Sequence, residues 1–172
     1  GFDTLVFLST TLDEVATTTT FSNTSEVEAI RFDASAAHVL RLGANANAAF
    51  ATGLTVTAPG GGTLELDGAL FTRTIHATGT SSGDTLTGGS ANDTLLGGSG
   101  GDSITGNGGV DSLVGGAGAD TIFGSTEDAV IEGSTDSLTA DGATDILRVG
   151  AAFNDASDAQ ISHIDRVELT ID

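Results

Sequence analysis

The sequence predicts an all-β fold: a β-solenoid whose short strands stack turn upon turn around one thin apolar column. Three observations predict it. Between Gly79 and Gly124 five nine-residue repeats follow one another without a slip. Glycine is abundant, at 25 residues, whereas bulky side chains are scarce: 8 Phe and no Trp, Tyr or Met. Before the repeats, alternating stretches centred on Ile30, Leu40, Leu54, Leu64 and Ile75 recur at short intervals between turn signals.

Residues 1–78 read as an irregular β-solenoid module. The opening Asp3-Thr-Leu-Val-Phe7 has the shape of one repeat strand. Residues 9–25 are rich in Ser and Thr and read as a surface excursion, in which Thr11-Leu-Asp-Glu14 has the spacing of a capping box. Ser25–Asp33 alternates and reads as a strand. Further strands are predicted at His38–Leu42, Leu54–Thr57, Thr63–Leu66 and Thr72–Ala77. Gly43-Ala-Asn, Pro59-Gly-Gly-Gly62 and Asp67-Gly68 separate them. The same spacing suits a small sandwich, but a solenoid runs straight into the repeats that follow.

Residues 79–150 form the second unit, regular over 79–124 and degenerate over 125–150. In each repeat Asp stands sixth, at Asp84, Asp93, Asp102, Asp111 and Asp120. A large apolar residue stands eighth, at Leu86, Leu95, Ile104, Leu113 and Ile122. A Gly-rich six-residue loop turns tightly at low cost, and the three residues after it suffice for a minimal strand. One apolar side chain per nine residues makes no ordinary core, but stacked turns align them into a continuous column. Stacking aligns the aspartates too, and like charges repel. A hard cation removes that conflict, because calcium takes six to eight oxygens from carboxylates and exposed backbone carbonyls. A flexible Gly/Ser linker has no reason to hold Asp and Leu at fixed offsets. Asp128, Asp136 and Asp145 continue the Asp-x-apolar triplet at looser spacing.

Residues 151–172 read as the start of a next module. Asp145–Val149 matches Asp3–Phe7, and Ser162–Thr170 matches Ser25–Asp33. Such an internal repeat predicts a longer parent built as a tandem array, with neighbouring modules or copies of the same protein as partners. The first residue is Gly rather than Met, in keeping with a piece of a longer chain.

Composition excludes several classes. The formal charge is −19, with no Lys and only five Arg, so nucleic acid and anionic membranes are poor partners. No run approaches the ~20 apolar residues of a membrane span, and no signal peptide opens the chain. The absence of Cys fits a secreted bacterial protein stapled by metal rather than by disulfide.

Residues 79–124 resemble the RTX, or haemolysin-type calcium-binding, family. The flanks resemble modules of RTX-containing bacterial S-layer proteins and long RTX adhesins. The family resemblance implies a parallel β-roll with two repeats per 18-residue coil and Ca2+ between loops n and n+2. Three sites are then expected: Asp84/Asp102, Asp102/Asp120 and Asp93/Asp111. It implies carbonyl ligands from Thr80, Ser82, Gly97 and Ser99 at the first. For the second it implies Gly98, Gly100, Gly115 and Ala117, and for the third Gly89, Ala91, Gly106 and Gly108. A fourth pair, Asp111/Asp128, is one residue short of the period. Thr80-Ser-Ser82 departs from the Gly-Gly-x-Gly form of the loop.

RTX repeats also accompany secreted enzymes, but the residues here form no convincing catalytic constellation. His38, His76 and His163 stand alone, with no His-Glu-x-x-His. Gly97-Gly-Ser-Gly-Gly101 has the letters of a nucleophile elbow, yet a short strand rather than a helix is predicted after it. The expected function is therefore non-enzymatic: a calcium-stabilised structural repeat at the bacterial cell surface, S-layer-like or adhesin-like. The alternatives are the folding and secretion tail of a type I-secreted exoenzyme, or a ligand-binding adhesin module.

Overall fold

The computed structural model describes residues 3–7, 27–33, 35–43, 46–59, 61–124, 130–134, 144–150 and 161–170. The first module supplies β1 (Asp3–Phe7), β2 (Val27–Phe32), β3 (His38–Arg41), α1 (Ala46–Ala49), β4 (Leu54–Thr57), β5 (Leu64–Asp67) and β6 (Ile75–Thr78). The nonapeptides supply β7 (Thr85–Thr87), β8 (Thr94–Ser99), β9 (Ser103–Thr105), β10 (Ser112–Ala117) and β11 (Thr121–Gly124). Then come β12 (Val130–Ser134), β13 (Ile146–Gly150), β14 (Ile161–Ser162) and β15 (Arg166–Thr170).

From β2 onward successive strands fall alternately into two parallel sheets. One runs β1-β2-β4-β6-β8-β10-β12-β14 and the other β15-β13-β11-β9-β7-β5-β3. Within the nonapeptides each strand pairs with the strand 18 residues away, Leu95 with Leu113 and Ile104 with Ile122. A parallel roll is thus the observed architecture, and the sandwich alternative for the first module falls away. Both sheets continue from that module into the repeats: β6 pairs with β8 and β5 with β7.

The period-two pleat sends every second side chain inward. The inward row of one sheet is Leu40, Leu66, Leu86, Ile104, Ile122 and Leu147, all fully buried. It faces Ile30, Val56, Ala77, Leu95 and Leu113 of the other sheet. Burying each Leu or Ile contributes about 1.5–3 kcal/mol, so the column is the main stabilising term.

The strand predicted at 54–57 is present with those bounds, and the strands around 30, 40, 64 and 75 are present with ends shifted by up to three residues. An unanticipated single helical turn, α1, lies at Ala46–Ala49, between the strands predicted at His38–Leu42 and Leu54–Thr57. It inserts Phe50 edge-on to Phe71, with ring centroids 6.4 Å apart. Phe32, Phe50 and Phe71 are thus buried in the first module beside its aliphatic residues. The excursion at 9–25 with its capping box lies outside the described residues.

Candidate metal centre

The five loop aspartates come into two columns, one at the start of each sheet's strands. All are buried: Asp84, Asp93, Asp102, Asp111 and Asp120 expose no more than 3% of their surface. One column is held by a repeated bond, backbone N–H to carboxylate Oδ1 eighteen residues on. Asp84 donates to Asp102 at 2.7 Å and Asp102 to Asp120 at 2.9 Å. The other column does the same, with Asp93 donating to Asp111 at 2.8 Å. The pairs Asp84/Asp102, Asp102/Asp120 and Asp93/Asp111 are therefore neighbours on adjacent coils.

Each carboxylate folds back over its own loop. A Cβ at Gly97 would collide with Asp102 Oδ2, and one at Gly106 with Asp111 Oδ2. Glycine at the first loop position is what lets the carboxylate lie there. The loop backbones stack as well, with Gly98 opposite Gly116 and Ser99 opposite Ala117. Within the first expected carbonyl set, Ser99 donates its N–H to Thr80 O at 3.1 Å. Within the second, Gly100 donates to Ala117 O at 2.7 Å, and within the third Gly108 donates to Gly89 O at 3.1 Å. Ser82 backs onto Gly100, and Ala91 onto Gly109. Gly115 O lies against the Cα of Gly97.

The loops are not equivalent. In the last three, positions two and four are left-handed: Gly98 and Gly100, Asn107 and Gly109, Gly116 and Gly118. Asn tolerates this region better than other side chains, and Asn107 also donates Nδ2–H to Gly88 O at 2.9 Å. The first two loops have no left-handed residue. In the first, Thr80 replaces that geometry with side-chain bonds: its Oγ1 reaches Asp84 Oδ1 at 3.0 Å and its N–H donates to Asp84 Oδ2 at 2.5 Å. Asp84 Oδ1 also accepts the Leu64 N–H, at 2.6 Å. Only Asp102/Asp120 joins two loops of the fully turned kind. Asp84/Asp102 and Asp93/Asp111 each pair one such loop with a different one.

Burial dominates the electrostatics of the two columns. Burial pushes the Asp102 carboxyl up to about 7 and the neighbouring charges of Asp120 and Asp84 add to it, against the lowering bond from the Asp84 N–H. Burial likewise raises Asp93 to about 6, with Asp111 adding to it, while bonds from Gly89 and Ile75 and the charge of His76 oppose. Asp102 Oδ2 is buried and accepts no hydrogen bond. A carboxylate oxygen without a donor in a desolvated site costs free energy unless a cation meets it. No group of three or more His, Cys, Asp or Glu side chains gathers at one point among the described residues. A site here would therefore be two carboxylates completed by backbone carbonyls, a donor set of oxygen alone. That suits a hard cation such as Ca2+.

One member of the column was not counted among the expected ligands. Asp120 donates its N–H to Asp145 Oδ1 at 2.8 Å, and Asp145 donates to Asp165 Oδ2 at 2.9 Å. Asp145 is also buried. β13 pairs directly with β11, so Asp145 is the coil partner of Asp120. The Asp145-Ile-Leu147 triplet was the available signal, obscured by an interval of 25 residues rather than 18. Asp128 lies outside the described residues.

The histidines fall in unrelated places: His38 buried on β3 and stacked on Phe32, His76 exposed on β6, His163 in the turn after β14. Ser99 ends β8 and the next element is β9, so Gly97–Gly101 is a strand-loop-strand turn and not the strand-to-helix turn of a nucleophile elbow.

Fold and site together define a parallel β-roll with aspartate loops stacked every 18 residues. Residues 78–113 and 105–128 match the family model of the RTX calcium-binding nonapeptide repeat, in four copies. This segment is an RTX repeat region, and repeats of this family bind Ca2+ and occur in secreted bacterial proteins. Neither the curated proteins nor the solved structures returned a match to the chain. No helix among the described residues is long and apolar enough to cross a membrane.

Proposed function

We propose that this chain is a calcium-held structural repeat of a bacterial cell-surface protein, an S-layer-like or adhesin array. The observation that carries it is the run of buried aspartates, each bonded to the backbone one coil away, in a chain of net charge −19. Asp102 and Asp120, with the carbonyls of Gly98, Gly100, Gly115 and Ala117, hold one ion. Asp93 and Asp111, with Gly89, Ala91, Gly106 and Gly108, hold a second. Asp84 and Asp102, with Thr80, Ser82, Gly97 and Ser99, hold a third. Bound Ca2+ supplies charge compensation and no chemistry. Each ion offsets two negative charges and ties neighbouring coils, so folding and metal binding are one event. The three segments, 1–78, 79–150 and 151–172, are a module, its calcium-bound roll and the beginning of another module. The strand pair that opens the chain returns near its end, which favours an array over a secretion tail.

Circular dichroism during calcium titration and after EGTA tests this. Calcium should raise the β signal and the melting temperature, and EGTA should reverse both. Spectra and melting indifferent to EGTA would sink the calcium reading. A catalytic domain on the same polypeptide would establish the exoenzyme tail instead.

A further inference from the structure

We propose that the end of the roll formed by β15 is a docking face for one more rung, and that its occupant is a segment equivalent to the β3–α1–β4 run of this chain. The inference deepens the array reading and rests on it for its biological setting. Two strand pairs of the chain match in sequence and in pairing register.

The pair β13/β15 reproduces the pair β1/β2. In the first pair Leu5 stands opposite Ile30 and Phe7 opposite Phe32. In the second, the sequence-equivalent residues meet in the same register, Leu147 with Val167 and Val149 with Leu169. A carboxylate clasp recurs at equivalent positions. The Asp3 N–H donates to Glu28 Oε2 at 2.7 Å, and the Asp145 N–H to Asp165 Oδ2 at 2.9 Å.

The two pairs differ in what covers them. The far edge of β2 is taken by β4, with Ile30 opposite Val56. The Phe32 ring lies under His38, with centroids 4.7 Å apart. Ile30 and Phe32 are fully buried as a result. Val167 and Leu169, their counterparts on β15, expose 57% and 56% of their surface. Their pairing with the buried Leu147 and Val149 nevertheless places them on the inward row of the roll. Arg166 donates its N–H to Asp145 O. Alternation along a parallel strand then turns the backbone groups of Val167 and Leu169 toward the open edge. Two inward apolar side chains beside a row of strand hydrogen-bonding groups are an unfinished rung. The same rung on β2 is finished by β3, the α1 turn and β4.

The test is a chimera in which residues 1–170 are followed directly by residues 34–172, with Thr170 taking the place of Asp33. If β15 accepts the rung, amide exchange at Val167 and Leu169 in calcium slows by about tenfold or more relative to the parent chain. The chimera then melts as one unit, and the double substitution Val167→Glu/Leu169→Glu splits it into two transitions. Unchanged exchange at those two amides overturns the proposal. So does a chimera whose second half stays unfolded, because residues 34 onward fold against β2 in the parent. A chimera that fuses its rolls but ignores EGTA would sink the calcium reading and leave this one standing.

Discussion

The backbone N–H of Asp84 donates to Oδ1 of Asp102, eighteen residues ahead, at 2.7 Å. That bond fixes the vertical spacing of two carboxylates and leaves Asp102 Oδ2 buried without a donor. Asp102 belongs to two of the expected sites and Asp84 to one. Calcium titration should therefore show a larger loss of affinity and of bound ions for Asp102→Ala than for Asp84→Ala. Equal losses would mean that the carboxylates do not act in pairs one coil apart.

The raised carboxyls predict opposite pH responses with and without metal. Asp102 sits at about 7 and Asp93 at about 6 in the folded chain, against an ordinary value near 3.9 when unfolded. Between those limits the folded state holds more protons than the unfolded one, so metal-free stability falls as pH rises. Metal-free protein should melt higher at pH 5 than at pH 8. In saturating calcium the protons are competitors, and apparent affinity should fall as pH drops through 7 to 5. Melting curves at both pH values, with EGTA and with calcium, decide it; a metal-free protein more stable at pH 8 would contradict it.

Gly116 has φ near +112° and lies against the Gly98 carbonyl of the coil below. Alanine there meets both a disfavoured backbone and a neighbour that cannot give way. The expected cost of Gly116→Ala is about 1–3 kcal/mol, with weaker calcium binding. At Gly61 nothing lies within 4 Å of an added Cβ, so Gly61→Ala should change stability by no more than about 0.5 kcal/mol. Chemical denaturation in calcium compares the two; equal effects would mean that loop stacking is unimportant.

Ile104 is fully buried between Leu86 and Ile122 on its sheet. Ile104→Ala should cost about 2–5 kcal/mol, measurable as a drop in the denaturant midpoint in saturating calcium. The exposed Leu70 is the control, since Leu70→Ala removes little buried surface. Similar losses at both would show that the column is not the core.

Within the nonapeptides the strands, the apolar positions and the aspartate positions were legible in the nine-residue period, while the pairing of Asp84 with Asp102, Asp93 with Asp111 and Asp102 with Asp120 came from the family resemblance. A strict nine-residue period puts every Leu or Ile and every Asp at the same place in its turn, but it does not choose between stacking on the next repeat and on the next but one; the two-sheet roll, with Leu95 opposite Leu113 and Ile104 opposite Ile122, fixes the interval at 18 residues. The first module was legible at its apolar centres, Ile30, Leu40, Leu54, Leu64 and Ile75, though not at its boundaries.

Only the tertiary structure decided the rest. It placed Asp145 after Asp120, because β13 pairs with β11 whatever the length of chain between them. It made the last three loops left-handed at alternate positions and left the first two otherwise, since a loop's backbone answers to the coil it rests on as well as to its own residues. It set the helical turn α1 between β3 and β4 and placed Phe50 edge-on to Phe71. It also showed Ile30 covered and Val167 bare. The two residues occupy equivalent places in matching strands, and only the presence or absence of a neighbouring rung separates them.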